Sequence, residues 1–299
     1  MPRSAPGEAA VRRSVAANVE TWFICQTILD GCLDFPSGAC QLFPVNAYSS
    51  LEATLHDIFW AEEGEPAELQ LLEETLREYP GPSLEIGCGS GRLLLPLLQK
   101  GHEVEGVELS SEMLDMCRKA ATDLSLEPVL YEADMTAFDP GKTYRSVLVP
   151  AFTLQLAPDP AAALAHFYKL LEAGGVIYLS VFIPMAELHR ELPEGQWYED
   201  HGAKLPDGRS ASLETRHRLD RKARILTREH RYRLHGADGS LEAEHESQQT
   251  IRWFTARQLR GMLAKAGLEP IHAIADFDPE QPVDEEAQII TVVARKAGV

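Results

Sequence analysis

Short apolar runs alternate along most of this chain with segments whose apolar residues return every three or four positions. Leu84 to Ile86, Val104 to Glu108, Pro128 to Glu132, Ser146 to Pro150 and Val176 to Phe182 are the runs, each of strand length. Between and before them lie the helical repeats. Leu51, Leu55, Ile58 and Phe59 form one face; Leu69, Leu72, Leu76 and Tyr79 form another, opened by Pro66 and stopped by Pro80-Gly81-Pro82. Leu93, Leu94, Leu97 and Leu98 predict a helix ending at Gly101, with Pro96 tolerated near its first turn. Ser110 is placed to cap a helix bearing Met113, Leu114, Cys117 and Ala120. Asp159 and Pro160 open one bearing Leu164, Phe167, Leu170 and Leu171, which Gly174-Gly175 is expected to close. Strand and helix in alternation predict an α/β fold, a mostly parallel sheet with helices on both faces.

Beyond residue 183 the alternation stops. Residues 184–254 are polar and rich in charge and histidine, with period-two character in Ser212 to Leu219, Ile225 to Leu234 and Leu241 to Phe254. Turn signals stand at Asp207-Gly208 and Ala237-Asp238-Gly239, so an antiparallel β cap inserted after the fifth strand is expected. Thr255-x-x-Gln258 is a capping box before Leu259, Met262 and Leu263, with Gly267 as stop. Ile271 to Ile274 and Ile289 to Ala294 would finish the sheet as a hairpin. The expected division is therefore a core at 47–183 and 255–299, a cap at 184–254 and an N-terminal helical extension at 1–46. That extension shows only a weak repeat at Val19, Trp22, Phe23, Leu29, Cys32 and Leu33.

Charge narrows the partners. Among 299 residues, 46 acidic against 28 basic side chains leave a net charge of −18, so nucleic acid or an anionic membrane would be approached against repulsion. Such a surface also serves solubility alone. The five cysteines, Cys25, Cys32, Cys40, Cys88 and Cys117, form no C-x-x-C pair, which points to a reducing cytoplasm and no bound metal. The run from Trp22 to Leu33 is too short for a span and lacks a signal-peptide layout, so neither secretion nor anchoring is expected.

The chemistry gathers at Ser83-Leu84-Glu85-Ile86-Gly87-Cys88-Gly89-Ser90-Gly91-Arg92. Glycine at every second position lets the backbone approach a ligand, and helix N-H groups follow. Glu85 would repel a pyrophosphate and welcome an amine or sulfonium. Arg92 stands where a dinucleotide fingerprint has its third glycine. Glu108 ends the second strand about 20 residues beyond Gly87, the spacing at which a carboxylate accepts from ribose hydroxyls. Asp134, after the third strand, is open to two readings: an acceptor for an adenine amine, or a loop-capping Asx turn.

Four motifs in order, Glu85 to Gly91, Gly106-Val107-Glu108-Leu109-Ser110, Ala133-Asp134-Met135 and Leu171-Glu172-Ala173-Gly174-Gly175, resemble class I S-adenosylmethionine-dependent methyltransferases of the small-molecule type. The likeness spans about 65 to 183 and 255 to 294. It implies a Rossmann-like seven-stranded sheet and S-adenosyl-L-methionine as cofactor, leaving as S-adenosyl-L-homocysteine. It also implies Gly87 and Gly89 against the methionine part, Glu85 on its amine, Glu108 on the ribose, Leu109 on the adenine face, and Asp134 with the Met135 amide on the adenine edge. Cys88, Arg92, Ser110, Met113 and Phe152 complete the expected cofactor set. Tyr144-Arg145-Ser146 and Ala173 depart from the family pattern at positions away from the methyl group.

In-line displacement on an activated donor needs chiefly positioning, and a hydroxyl or ammonium acceptor also needs a base. The segments expected over the cofactor offer Tyr48, His56 and Trp60, then Gln155, then Trp197 and Tyr198 for substrate binding. His201 is the first choice for a base because Glu199 and Asp200 stand beside it. Tyr48, His56 and Trp60 equally suit a core, and His201 an exposed loop. The expected partner is a small-molecule methyl acceptor, with neither nucleic acid nor membrane, and with homodimerisation through cap or extension open. Two other functions stay in view: a non-catalytic protein of the same fold, and an NAD(P)-dependent oxidoreductase, which Arg92 and the final β-β pairing disfavour.

Overall fold

The computed structural model describes residues 48–60 and 66–297. The expected extension at 1–46, with Cys25, Cys32 and Cys40, lies outside the described residues, as does the side chain of Trp60. Helix α1 (Ser50–Trp60) precedes α2 (Ala67–Glu78), and the core then runs β1 (Ser83–Ile86), α3 (Leu94–Gln99), β2 (Val104–Glu108), α4 (Ser111–Asp123), β3 (Leu130–Glu132) and β4 (Tyr144–Val149). A 3-10 turn (Thr153–Leu156) leads to α5 (Pro160–Leu170) and β5 (Leu171–Phe182). After α6 (Met185–Leu188) come β6 (Tyr198–Lys204), β7 (Ser210–Asp220), β8 (Ile225–His235) and β9 (Leu241–Arg252). The chain finishes with α7 (Ala256–Ala266), β10 (Leu268–Ala275) and β11 (Ile289–Lys296).

Seven strands form one sheet in the order β10-β11-β5-β4-β1-β2-β3. β1 to β5 pair in parallel, and β11 lies antiparallel to both β5 and β10. This is a Rossmann-like architecture. Helices α2, α3 and α4 bury Leu72, Leu94, Leu97 and Leu114 against Leu148, Val176 and Tyr178 on one face, while α5 and α7 bury Leu164, Phe167, Leu259 and Leu263 on the other. Local signals start these helices where the sequence places them. The Ser110 hydroxyl accepts from Met113 N at 3.2 Å, and Asp159 Oδ1 accepts from Ala161 N and Ala162 N at 3.0 Å. Thr255 and Gln258 close their reciprocal box, and Gly267 ends α7 at φ 82°.

Gly174-Gly175 does not close α5. The helix stops at Leu170 because Leu171 turns extended (φ −84°, ψ 141°) and pairs with Tyr144. The glycines lie in the approach to the regular part of β5, where the Arg145 guanidinium donates to Gly174 O at 3.0 Å and a Cβ on Gly175 would meet Arg145 O at 3.0 Å. They allow close backbone passage.

A second, antiparallel sheet has the order β6-β7-β8-β9. Three strands were expected; the fourth, β6, takes in most of the segment read as a polar loop around His201. On one face Arg216, Arg231 and Arg233 pair with Glu229, Glu246 and Glu244, and Trp197 sits between Arg216 and Arg231 at 4.7 and 4.2 Å. On the other face Ala211, Leu213 and Tyr232 pack on Leu55 and Phe59 of α1. Helix α1 therefore stands between the small sheet and the core. No described helix is long and apolar enough to cross a membrane.

Candidate active site

β1 delivers the chain into Gly87, Gly89 and Gly91, all at positive φ (72°, 54° and 88°). The close approach is real at Gly87, where a Cβ would stand 2.7 Å from Thr153 Cγ2. A cavity opens along the ends of β1 to β4. Of the residues expected to bind cofactor or substrate, it brings together Tyr48, His56, Glu85, Gly87, Cys88, Gly89, Arg92, Glu108, Leu109, Met113, Asp134 and Met135.

Glu85 is 2% exposed, yet its Oε2 has no hydrogen-bond partner. Burial, with the neighbouring charges of Glu68 and Glu108, pushes its carboxyl well above the usual range against the pull of Arg92. A buried acceptor opening on a cavity suits a cationic donor such as an ammonium. Glu108 is already engaged: Oε1 accepts from Leu109 N and Ser110 N at 2.8 Å, and Oε2 accepts from Gly89 N at 3.2 Å. A carboxylate offers about four acceptor positions, so the amides fix its orientation and leave capacity for a hydroxyl. Asp134 makes the Asx turn, with Oδ1 accepting from Thr136 N at 2.8 Å and Thr136 Oγ1 at 2.7 Å, and it also lines the cavity. The loop-capping turn is thus present, in a residue that also faces the cavity.

Helix α1 forms the opposite wall. His56 shares Nδ1 with Asp57 Oδ1 at 2.8 Å, and Ser90 of the glycine loop donates to the same oxygen at 2.7 Å. Burial pushes Asp57 up, but the His56 and Ser90 hydrogen bonds outweigh it and hold the carboxyl below its ordinary range. The Tyr48 ring meets His56 edge-on at 5.4 Å, and its hydroxyl accepts from Gln249 Nε2 at 3.2 Å. Desolvation in its part-buried place, reinforced by Glu52, raises Tyr48 to about 12, so it stays a neutral phenol. From β9 the cavity receives Thr250 and Arg252.

The remaining expected residues fall elsewhere. Ser110 is a helix cap whose hydroxyl also donates to Tyr48 O. Phe152 stands beside the cavity in a left-handed turn (φ 64°), packed on Phe182 and Phe277. Gln155 is fully buried with its amide committed: Nε2 donates to Phe182 O and Arg252 O at 2.9 and 3.0 Å, and Oε1 accepts from Phe182 N at 2.7 Å. It fastens the frame and has no amide donor left for a substrate. Trp197 lies among the arginines of the small sheet. Tyr198, with His217 at 5.9 Å, and His201, stacked on Phe59 at 5.8 Å, belong to β6 or its edge and are not among the residues lining the cavity. Asp57, Ser90, Thr250 and Arg252 went unread because their positions come from the meeting of α1, the glycine loop and β9.

A family model described as a methyltransferase domain matches residues 60–273. A phosphatidylethanolamine N-methyltransferase of Cereibacter sphaeroides is 30% identical over 132 residues, covering 40% of this chain and 64% of the relative. A dTDP-3-amino-3,4,6-trideoxy-alpha-D-glucopyranose N,N-dimethyltransferase of Streptomyces venezuelae is 28% identical over 139 residues, covering 44% and 56%. The chain thus spans less than two thirds of either relative's length. Among solved structures, the CcbJ methyltransferase of Streptomyces caelestis superposes with a TM-score of 0.67 at 25% identity, covering 86% of this chain and all of that one. Glycine loop, strand-end carboxylates and sheet order agree with the extent of the family match, and the chain belongs to the methyltransferase domain family.

Proposed function

We propose that this protein transfers a methyl group from S-adenosyl-L-methionine to a nitrogen, oxygen or sulfur atom of a small-molecule acceptor. The observation that carries the reading is the buried, unpartnered Oε2 of Glu85 opening on the same cavity as the Glu108 carboxylate one strand away. Glu85 would hold the amino-acid ammonium and Glu108 the ribose hydroxyls, with Leu109, Met113, Asp134 and Met135 around the base. Bound there, the cofactor supplies a methyl group already activated by its sulfonium. The chain supplies alignment, for which roughly 7 to 11 kcal/mol of barrier lowering is available.

His56 is the base in this reading rather than His201. It lines the cavity, and the carboxylate of Asp57 on its Nδ1 orients the ring and favours proton uptake from an ammonium or hydroxyl acceptor. Tyr48, Thr250 and Arg252 would contact the acceptor. The names of both curated relatives describe nitrogen methylation, which favours an amine. The net charge of −18 supports a neutral or cationic small molecule over nucleic acid, in a cytoplasmic protein. The core at 47–183 and 255–299 would bind the donor, and the 184–254 insertion would cover the acceptor.

The test pairs binding with turnover. Calorimetry with S-adenosylhomocysteine should give a dissociation constant in the micromolar range, while NADH gives none. Methyl-labelled S-adenosylmethionine should then label a component of a small-metabolite extract. Binding without labelling favours a non-catalytic protein, and binding of NADH alone overturns the reading.

A further inference from the structure

Five buried side-chain oxygens gather where α2 covers adjacent rows of the sheet, with the Tyr178 and Ser180 hydroxyls against the Glu68 carboxyl and Thr291 against Tyr178. They are Glu85 Oε2 on β1, Glu68 Oε1 on α2, the Tyr178 and Ser180 hydroxyls on β5, and Thr291 Oγ1 on β11. Thr291 is in register with Ser180, Tyr178 with Leu148, and Leu148 with Glu85. In-register neighbours share a face, and it is the face that α2 covers. Glu68, 5% exposed at the start of α2, faces these rows; its Oε2 accepts from Ala151 N at 3.0 Å. Ala151 lines the cavity and is held at φ 50°. A glutamate in a helix's first turn ordinarily points to water. Here it is driven inward beside a second buried carboxyl.

Resting on the donor-site reading above, we propose that Glu68 and Glu85 act as one acid pair that holds a proton in the ligand-free protein and releases it to solvent when the ligand's ammonium group reaches Glu85. Glu68 is thus a positioning residue with two effects: it fixes the Ala151 wall, and it makes binding selective for a cation by keeping the site neutral until one arrives. Two ionised carboxylates cannot share dry surroundings without a counter-charge, and an ammonium provides it. Both carboxyls lie above the ordinary range, burial being the first cause for each. Among the facing groups, Arg92 pulls both acids down and Glu108 pushes Glu85 up. Tyr178 on β5, Cys88 in the glycine loop and Cys117 on α4 are raised by burial and stay neutral, so the exchangeable proton belongs to the carboxyl pair.

Calorimetry of S-adenosylhomocysteine binding in two buffers of different ionisation enthalpy tests this. Wild type should release about one proton, with affinity rising about tenfold per pH unit while the pair is protonated. Glu68→Gln keeps the side-chain shape and the acceptor for Ala151 N; it should measurably reduce the release and make the pH slope shallower, Glu85 keeping the part that its own burial causes, with a circular-dichroism spectrum like that of wild type. 5′-Methylthioadenosine, which has no ammonium, should release none. Buffer-independent enthalpy in the wild type, undiminished release in Glu68→Gln, or equal release with methylthioadenosine overturns the pair. If wild type does not bind S-adenosylhomocysteine, the donor-site reading falls and the pair with it; binding without proton release sinks the pair alone.

Discussion

Ser90 of the glycine loop donates to Asp57 of α1 at 2.7 Å, tying the helix that walls the cavity to the loop that shapes its floor. The same carboxylate orients His56. Ser90→Ala removes one tie worth about 1 kcal/mol, so amide exchange in residues 48–59 should quicken about fivefold by mass spectrometry while exchange in β1 stays unchanged. Equal exchange in wild type and variant would show that the Ser90 tie does not hold α1 in place.

Glu108 both receives three backbone amides and faces the cavity. Glu108→Ala is expected to weaken S-adenosylhomocysteine binding at least about tenfold in calorimetry, about the worth of one charge-assisted hydrogen bond. Unchanged affinity would remove the ribose role.

Gly106 has an ordinary backbone conformation, but a Cβ there would meet Cys88 Sγ at 2.6 Å and Leu130 Cδ2 at 3.0 Å. Gly106→Ala should cost about 1 to 3 kcal/mol in denaturant unfolding by overpacking. Adding Cys88→Ala should recover part of the loss. Strict additivity of the two substitutions would locate the strain elsewhere.

His230 is buried in the small sheet with Thr215 Oγ1 at 2.9 Å from its Nδ1, and Thr215 donates its one proton to Asp200 Oδ2 at 2.6 Å. The ring must therefore be the donor at Nδ1, with the neutral form preferred. Burial, then Arg228, pulls His230 down to about 4. A histidine free in the unfolded chain titrates near 6.5, so the unfolded state binds more protons between those values and stability falls as pH drops from about 6.5 to 4. The loss should approach about 2 to 3 kcal/mol, read as Tm against pH, and His230→Gln should flatten that slope.

The sequence revealed whatever repeats locally. Ser110, Asp159-Pro160 and Thr255-x-x-Gln258 start their helices because capping is decided within a single turn. Glu108 and Asp134 reach the cavity because a strand end is fixed by its own run. β6 escaped because Tyr198 to Lys204 alternates too weakly in polarity. The turn at Asp207-Gly208 nevertheless needs a strand before it, and Gly208 joins β6 to β7 at φ 90°. Glu68 and Asp57 escaped for a different reason: each looks like an ordinary helix-surface acid until the sheet or the glycine loop is brought against it. His201 looked suitable from its acidic neighbours in the chain, yet its ring is turned to Phe59.

Gln155 touches the chain where it departs from the large sheet at Phe182 and where it comes back at Arg252. Both ends of the long excursion are thus clasped at one point by a single amide. The entropy of closing such an excursion grows only slowly with its length. Lengthening the turn between β8 and β9 should accordingly leave the large sheet in place, which makes this junction a natural seam for exchanging the small sheet over the same core.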